Sequence, residues 1–226
     1  MGIKVNQETL QMIADLSNAR GASGFEDETV QAAAKHIGEG YTTEEDCLRN
    51  FYMYRTANSG NKPVFMLDAH SDEVGFMVHS IRPNGTLRFV ALGGWNVGSL
   101  ASSKVLVRNS EGKYLPGVIA AKPVHFMSAS EKASAGAADI SSLSIDIGAV
   151  SAKDAAENFK IRIGEPVLPD VTLEYDEEHD LMFGKAFDCR IGCAALIETL
   201  RRLRDEKLDV DVEYTVLALT PKAIER

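Results

Sequence analysis

Apolar and polar positions run through this chain in three successive textures. Between Thr9 and Ala19, Leu10, Ile13, Ala14 and Leu16 recur at helical spacing and predict an amphipathic helix. Gly21-Ala22-Ser23-Gly24 ends it. Ser23 and Glu26 then form the S-x-x-E pattern of a capping box, opening a second helix that runs to about Ile37. Acidic Glu44, Glu45 and Asp46 lead into a strand over 48–55 and a turn at Asn58-Ser59-Gly60-Asn61. Val64-Phe65-Met66-Leu67 is a short continuous apolar run, the pattern of a strand buried on both faces. It stops abruptly at Asp68-Ala69-His70-Ser71-Asp72-Glu73.

From Gly75 to about Val167 the period changes. Short β-type runs at 76–79, 87–91, 105–108, 114–120, 144–147 and 161–163 alternate with turn signals such as Pro83-Asn84-Gly85 and Glu111-Gly112. One short helix, Lys153–Asn158 capped by Ser151, interrupts them, and the Ser-, Ala- and Gly-rich stretch 128–142 reads as a mobile loop. Evenly spaced short strands indicate a small barrel or sandwich. After Pro169 helix and strand return. A run over 181–186 leads into a strong helix, Ile191–Arg204, with Leu196, Leu200, Leu203 and Gly192 on one face. A buried strand is expected at Asp211–Leu219. The expected fold class is α/β: a domain split over 1–73 and 168–226, with an all-β barrel-like domain inserted at 74–167.

Composition narrows the function classes. The 226 residues carry 24 Lys+Arg against 33 Asp+Glu, a net charge of −9, so the clustered cations that neutralise phosphate are missing and nucleic acid is not an expected partner. The longest apolar runs are too short to span a membrane, and 1–12 holds no signal-peptide core. The 3 cysteines, Cys47, Cys189 and Cys193, do not form a disulfide framework. A soluble, reduced, cytoplasmic protein is expected.

Two segments carry the sharpest candidate chemistry. His70 and Asp72 stand just after a buried strand, where open α/β sheets bind ligands, and an imidazole with a carboxylate two residues on can form a metal ligand and its orienting partner. A solvated strand-to-loop turn explains the same hexapeptide. Asp188, in Lys185-Ala186-Phe187-Asp188-Cys189-Arg190-Ile191-Gly192, puts a carboxylate at a helix N-terminus, which a cap explains equally well. Cys189 and Cys193 lie one helical turn apart but have no Cys/His pair to complete a metal site. Gly93-Gly94-Trp95-Asn96-Val97-Gly98 is no phosphate fingerprint. His36, His79, His125 and His179 lack pairing spacing, a Ser23/His36/Asp68 triad lacks a nucleophile elbow, and 174–180 reads as a solvated acidic loop.

Taken together, Ser23-Gly24-Phe25-Glu26, Asp68 to Phe76, Gly117 to His125, Asp146-Ile147-Gly148-Ala149 and Lys185 to Gly192 resemble the cobalt- or zinc-dependent glutamyl and deblocking aminopeptidases, in family order over about residues 5–205. These form tetrahedral twelve-subunit particles built from dimers and are often mislabelled endoglucanases. The resemblance implies a split catalytic α/β/α domain, incomplete at its C-terminus, with a barrel-like insertion used in assembly. It implies two divalent metal ions (Zn or Co), with His70 a ligand of one, Asp188 bridging both and Asp72 the catalytic carboxylate that orients His70. The family's adjacent glutamates, one the general base, and its later aspartate and histidine ligands have no counterpart after Leu219, so the family's C-terminal third is expected to be missing. The expected function is therefore a metal-dependent aminopeptidase that releases N-terminal residues from peptides through a two-metal-activated water, impaired or inactive in this chain, in a homo-oligomer. The alternative is a non-catalytic relative acting only in folding or assembly. A glycosidase reading through Asp72 and Glu73 is disfavoured because neighbouring residues on a strand end point to opposite faces.

Overall fold

The computed structural model describes residues 5–122, 124–128, 139–206 and 213–220. In chain order its elements are α1 (Gln7–Asn18), α2 (Asp27–Ile37), β1 (Tyr41–Glu45), β2 (Phe51–Arg55), β3 (Val64–His70), β4 (Gly75–Ile81), β5 (Leu87–Leu92), β6 (Lys104–Arg108), β7 (Tyr114–Ala120), β8 (Ser144–Asp146), α3 (Ala152–Glu157), β9 (Pro166–Pro169), β10 (Glu174–Asp176), β11 (Leu181–Phe183), α4 (Phe187–Asp205) and β12 (Glu213–Thr220). The chain divides into two compact units, Met1–Glu73 with Val171–Arg226, and Val74–Asp170. The fold class is the expected mixed α/β with a closed barrel. No described helix is long and apolar enough to cross a membrane.

In the first unit a four-stranded sheet runs in the order β1-β2-β12-β3. β12 is antiparallel to β2 and parallel to β3, and Thr220 is in register with His70, so two strand C-termini emerge together. Met12 and Leu16 of α1, Val30 and Ala33 of α2, and Cys193, Ile197 and Leu200 of α4 bury against Phe51, Met53 and Ala69 of the sheet in one core. Gly192 lets α4 come this close: a Cβ there would lie 2.6 Å from Cys189 Sγ and 3.1 Å from Ala69 Cβ. Asn6 caps α1, its side chain accepting from Thr9 N at 2.8 Å.

Several sequence expectations are corrected here. β3 is not buried on both faces. Val64, Phe65 and Met66 are 65, 53 and 58% exposed. The reason is position: among the described residues β3 is an edge strand, and only its C-terminal half, Leu67 and Ala69, joins the core. Ser23 does not cap α2. The N-cap is Glu26, without a side-chain cap bond, and the Ser23 hydroxyl is drawn instead to a carboxylate remote in sequence. β1 went unforeseen because an exposed polar strand has no apolar alternation to announce it. Within the acidic stretch 174–180, Glu174–Asp176 is strand β10 paired with β11, and 177–180 is the exposed turn between them. The expected strand at 161–163 is absent, the chain pairing at Pro166–Pro169 instead. Most of 128–142 lies outside the described residues, while Ile140–Ser142 forms one 3-10 turn. Asp211 and Val212 of the last expected strand also lie outside them.

The second unit closes as a six-stranded antiparallel barrel, β4-β5-β8-β7-β6-β9. Alternate residues point inward, so Phe76, Val78, Leu87, Phe89, Val105, Val107, Ile119, Ile145 and Val167 fill the interior. Phe76 meets Phe89 edge-on with ring centroids 5.0 Å apart and stacks on Trp95 at 4.7 Å. Trp95 Nε1 donates to Gly75 O at 3.0 Å, so the glycine-rich 93–98 segment is a loop packed on the barrel through Trp95 and Val97. Ser151 caps α3 as expected, accepting from Asp154 N at 3.1 Å. Leu87 is fully buried, so Leu87→Ala should cost about 2–5 kcal/mol by urea denaturation. A loss under about 1 kcal/mol would show that this position is not a load on the barrel core.

Candidate metal centre

The end of β3 and the start of α4 meet at His70. Its Nδ1 lies 2.9 Å from Asp72 Oδ1 and its Nε2 lies 3.2 Å from Asp188 Oδ1. Both partners are carboxylate oxygens that only accept, so a neutral imidazole can donate to one of them and turns a lone pair toward the other. Two acceptors face to face need a cation or a second imidazole proton between them, and a carboxylate-oriented histidine is a common way to present nitrogen to a metal. Asp72 is nearly enclosed, its side chain 6% exposed, whereas that of Asp188 is 86% exposed and open to a ligand. Asp188 and Cys189 have non-helical backbone (φ −91°, ψ 104° at Asp188), so the regular helix begins beyond them, and the Asp188 carboxylate faces His70 rather than a helix N–H.

Donor atoms of His70, Asp188 and Cys189 all lie within 4.8 Å of one another. This set, imidazole nitrogen, carboxylate oxygen and thiol sulfur, suits borderline ions such as Zn²⁺ or Co²⁺. Cys193 does not join it. That thiol points to His70 O at 3.3 Å, and burial pushes it up to about 12. The residues present therefore fit a divalent ion, with Cys189 in the group and Cys193 outside it.

Beneath this cluster lies a buried ionic network that the sequence reading missed. Glu73 Oε1 accepts from Lys185 Nζ at 2.6 Å, Gly21 N at 3.1 Å and Arg190 Nη2 at 3.4 Å. Arg190, 1% exposed, also donates from Nε to Ser71 O at 2.9 Å and from Nη1 to Leu16 O at 2.8 Å and to Ala19 O. Lys185 Nζ reaches Ala19 O at 3.1 Å. Burial pushes the Lys185 ammonium below the usual lysine range, and the Glu73 carboxylate opposes that shift. The network binds residues either side of Asp72 to residues either side of Asp188. A lysine and an arginine within an otherwise apolar or small stretch were the available signal.

The remaining candidates separate from the site. His36 Nε2 sits 2.8 Å from Asp15 Oδ2, His179 Nδ1 lies 2.8 Å from Asp176 Oδ2, and the His125 ring lies tilted against Phe126. His79 Nδ1 lies 3.4 Å from the neighbouring Ser80 hydroxyl. The Ser23/His36/Asp68 triad does not form, because Ser23 Oγ donates to Asp72 Oδ2 and Asp68 is exposed. Asp72 and Glu73 serve different partners, as their alternation on the strand end requires.

Two predictions follow from burial. Removing one member of the ion network leaves the others uncompensated, so Lys185→Met should destabilise the first unit by about 3–5 kcal/mol in denaturant titration. A neutral result would mean the ammonium contributes nothing to holding Glu73. Glu26 is 1% exposed, its Oε2 has no partner, and burial pushes its carboxyl above the usual value. A carboxyl raised on folding stabilises fully below its unfolded value near 4.5 and loses that contribution as pH rises through the folded value. Glu26→Gln should therefore gain thermal stability over the parent chain at pH 7 but not at pH 4. An equal difference at both would remove Glu26 as the titrating group.

Residues 50–219 match the M42 glutamyl aminopeptidase family. The glutamyl aminopeptidase of Lactococcus lactis subsp. cremoris is 32% identical over 204 residues, which cover 90% of this chain and 57% of that protein. The TET aminopeptidase of the marine sediment archaeon Thaumarchaeota archaeon SCGC AB-539-E09 superposes with a TM-score of 0.89 at 30% identity, covering 96% of this chain and 59% of that one. The TET1 peptidase of Pyrococcus horikoshii shares the fold with a TM-score of 0.81 at 24% identity, over 96% of this chain and 62% of its own. The chain thus spans rather more than half the length of the relatives it matches, and it belongs to the M42 glutamyl aminopeptidase family.

Proposed function

We propose that this chain carries part of the metal centre of a metal-dependent aminopeptidase that releases N-terminal residues, acidic ones included, from peptides. One observation carries the reading: in a member of this family, His70 is held between Asp72 and Asp188, with its Nε2 turned to the open carboxylate. His70 and Asp188 would hold the metal, with Cys189 beside them. A bound divalent pair would supply an activated water and polarise the scissile carbonyl. Asp72 keeps the His70 imidazole in one tautomer and one plane. The exposed Asp188 carboxylate leaves room for a peptide N-terminus to approach.

Among the described residues, the potential ligands that gather are His70, Asp188 and Cys189, with no glutamate among them to act as base. Positioned proton transfer contributes about 10²–10⁴-fold. The 226 residues alone are therefore proposed to turn over peptides weakly or not at all. The free thiols Cys47, Cys189 and Cys193 agree with a reducing, cytoplasmic setting.

A second reading, a non-catalytic module active only in folding or assembly, draws on the exposed Val64, Phe65 and Met66 of edge strand β3, an apolar surface that association would cover. The Pyrococcus horikoshii TET1 peptidase can assemble into a tetrahedron or a large octahedral shell. A homo-oligomer is proposed here on the same grounds of fold.

The chain should bind Co²⁺ or Zn²⁺ in calorimetric titration, and His70→Ala should abolish that binding. It should release a chromogenic group from a glutamyl anilide at least about 10²-fold more slowly than the longer relatives. Absence of ion binding sinks the metal reading, and full peptidase activity sinks the impairment. A monodisperse monomer in sedimentation counts against assembly.

A further inference from the structure

The loop between α1 and α2 reaches the metal centre through a single hydroxyl. Ser23 Oγ donates to Asp72 Oδ2, and Asp72 Oδ1 holds His70 Nδ1 at 2.9 Å. One carboxylate therefore has its two oxygens tied to two side chains, one of them the proposed metal ligand. With both oxygens anchored, the plane of the carboxylate is fixed, and with it the direction in which the imidazole presents Nε2 to Asp188. Without the hydroxyl, Oδ2 loses this anchor and the carboxylate plane is held less firmly.

The loop is built to hold Ser23 there. Glu73 N donates to Gly21 O at 2.8 Å and Gly21 N to Glu73 Oε1 at 3.1 Å, while Ala22 bridges Glu73 in parallel. Gly21 has no room for a side chain: a Cβ would lie 2.6 Å from Thr29 Oγ1 and 2.9 Å from Arg190 Nη2. Beyond Ser23, Gly24 takes φ +87° and its N–H donates to the buried Glu26 carboxylate at 2.7 Å. The S-x-x-E pattern is thus used to shape a turn that aims the serine away from α2, toward β3. Both ends of the loop are fixed, which gives the hydroxyl a defined position.

We propose that Ser23 is a positioning residue for the metal centre, acting through Asp72 on His70. The inference rests on the reading of His70 and Asp188 as metal ligands. Partners of this outer kind are typically worth about 10–100-fold in metal affinity.

The test uses the 226-residue chain, titrated with Co²⁺ and read by its visible absorption, in the parent, Ser23→Ala and Ser23→Thr forms. Ser23→Ala should bind Co²⁺ about 10-fold or more weakly and change the band shape, with its metal-free melting midpoint near that of the parent. Ser23→Thr, which keeps the hydroxyl, should restore both affinity and spectrum. Should the alanine form lose its fold, Ser23→Gly removes the same hydroxyl and is read in its place. The inference is overturned if the hydroxyl-free form binds as tightly as the parent with the same spectrum, or if Ser23→Thr is as impaired as Ser23→Ala. No Co²⁺ binding by the parent itself overturns the ligand reading and this inference together, so the two failures are distinguishable.

Discussion

Glu73 is the residue on which the arrangement of the first unit turns. Its carboxylate accepts from a lysine more than a hundred positions away, from an arginine on the same distant segment and from a backbone amide of the α1–α2 loop. Charges removed from water this fully are tolerated only when each is paired and hydrogen-bonded. The arginine meets that demand by spending its donors on Ser71, Leu16, Ala19 and Gly21 carbonyls as well. The end of β3, the loop after α1 and the start of α4 are therefore fixed in one geometry. Hydrophobic packing alone would hold these segments together without specifying which side chains face each other.

That geometry explains how polar chemistry can stand at the margin of an apolar core. His70 is the last residue of β3 and Asp188 lies where the helix has not yet become regular, so each is held by backbone on one side and open on the other. The burial contrast between Asp72 and Asp188 assigns them different work, one held in place and one available. Within the second unit the barrel solves a separate problem: closing the sheet leaves no unpaired edge, and its interior fills with aromatic and branched side chains. Among the described residues the first unit's sheet stays open with β3 at its edge, and Val64, Phe65 and Met66 of that strand are exposed.

Period and punctuation in the sequence carried the α/β class, the barrel texture beginning at Gly75, the Ser151 cap and the main helices, because each depends on neighbours in the chain. The chemistry of His70, Asp72 and Asp188 could be suspected one segment at a time and was tied together only through family resemblance. Two local rules misled. A continuous apolar run reads as a doubly covered strand, yet β3 lies at an edge, and edge position is a property of strand order. Ser23 fits a capping box, yet its hydroxyl found a carboxylate 49 positions away. The helix itself starts three residues beyond the serine's cap position, with Glu26 as its N-cap, which leaves the hydroxyl to a charge-assisted bond stronger than a neutral one.

The sequence by itself determined the elements and their alternation, since helical and strand periods are set by residues a few positions apart. It also determined which residue types were available for metal chemistry. Only the tertiary structure decided that Lys185 and Arg190 would be buried on Glu73, that Cys193 would turn to a carbonyl while Cys189 stayed near His70, and that Ser23 would serve Asp72. Those pairings join segments separated by dozens to more than a hundred residues. Nothing in the spacing of a chain encodes such a contact. It arises when desolvated charges and hydroxyls must find partners in the one place where the packed backbone brings them within reach.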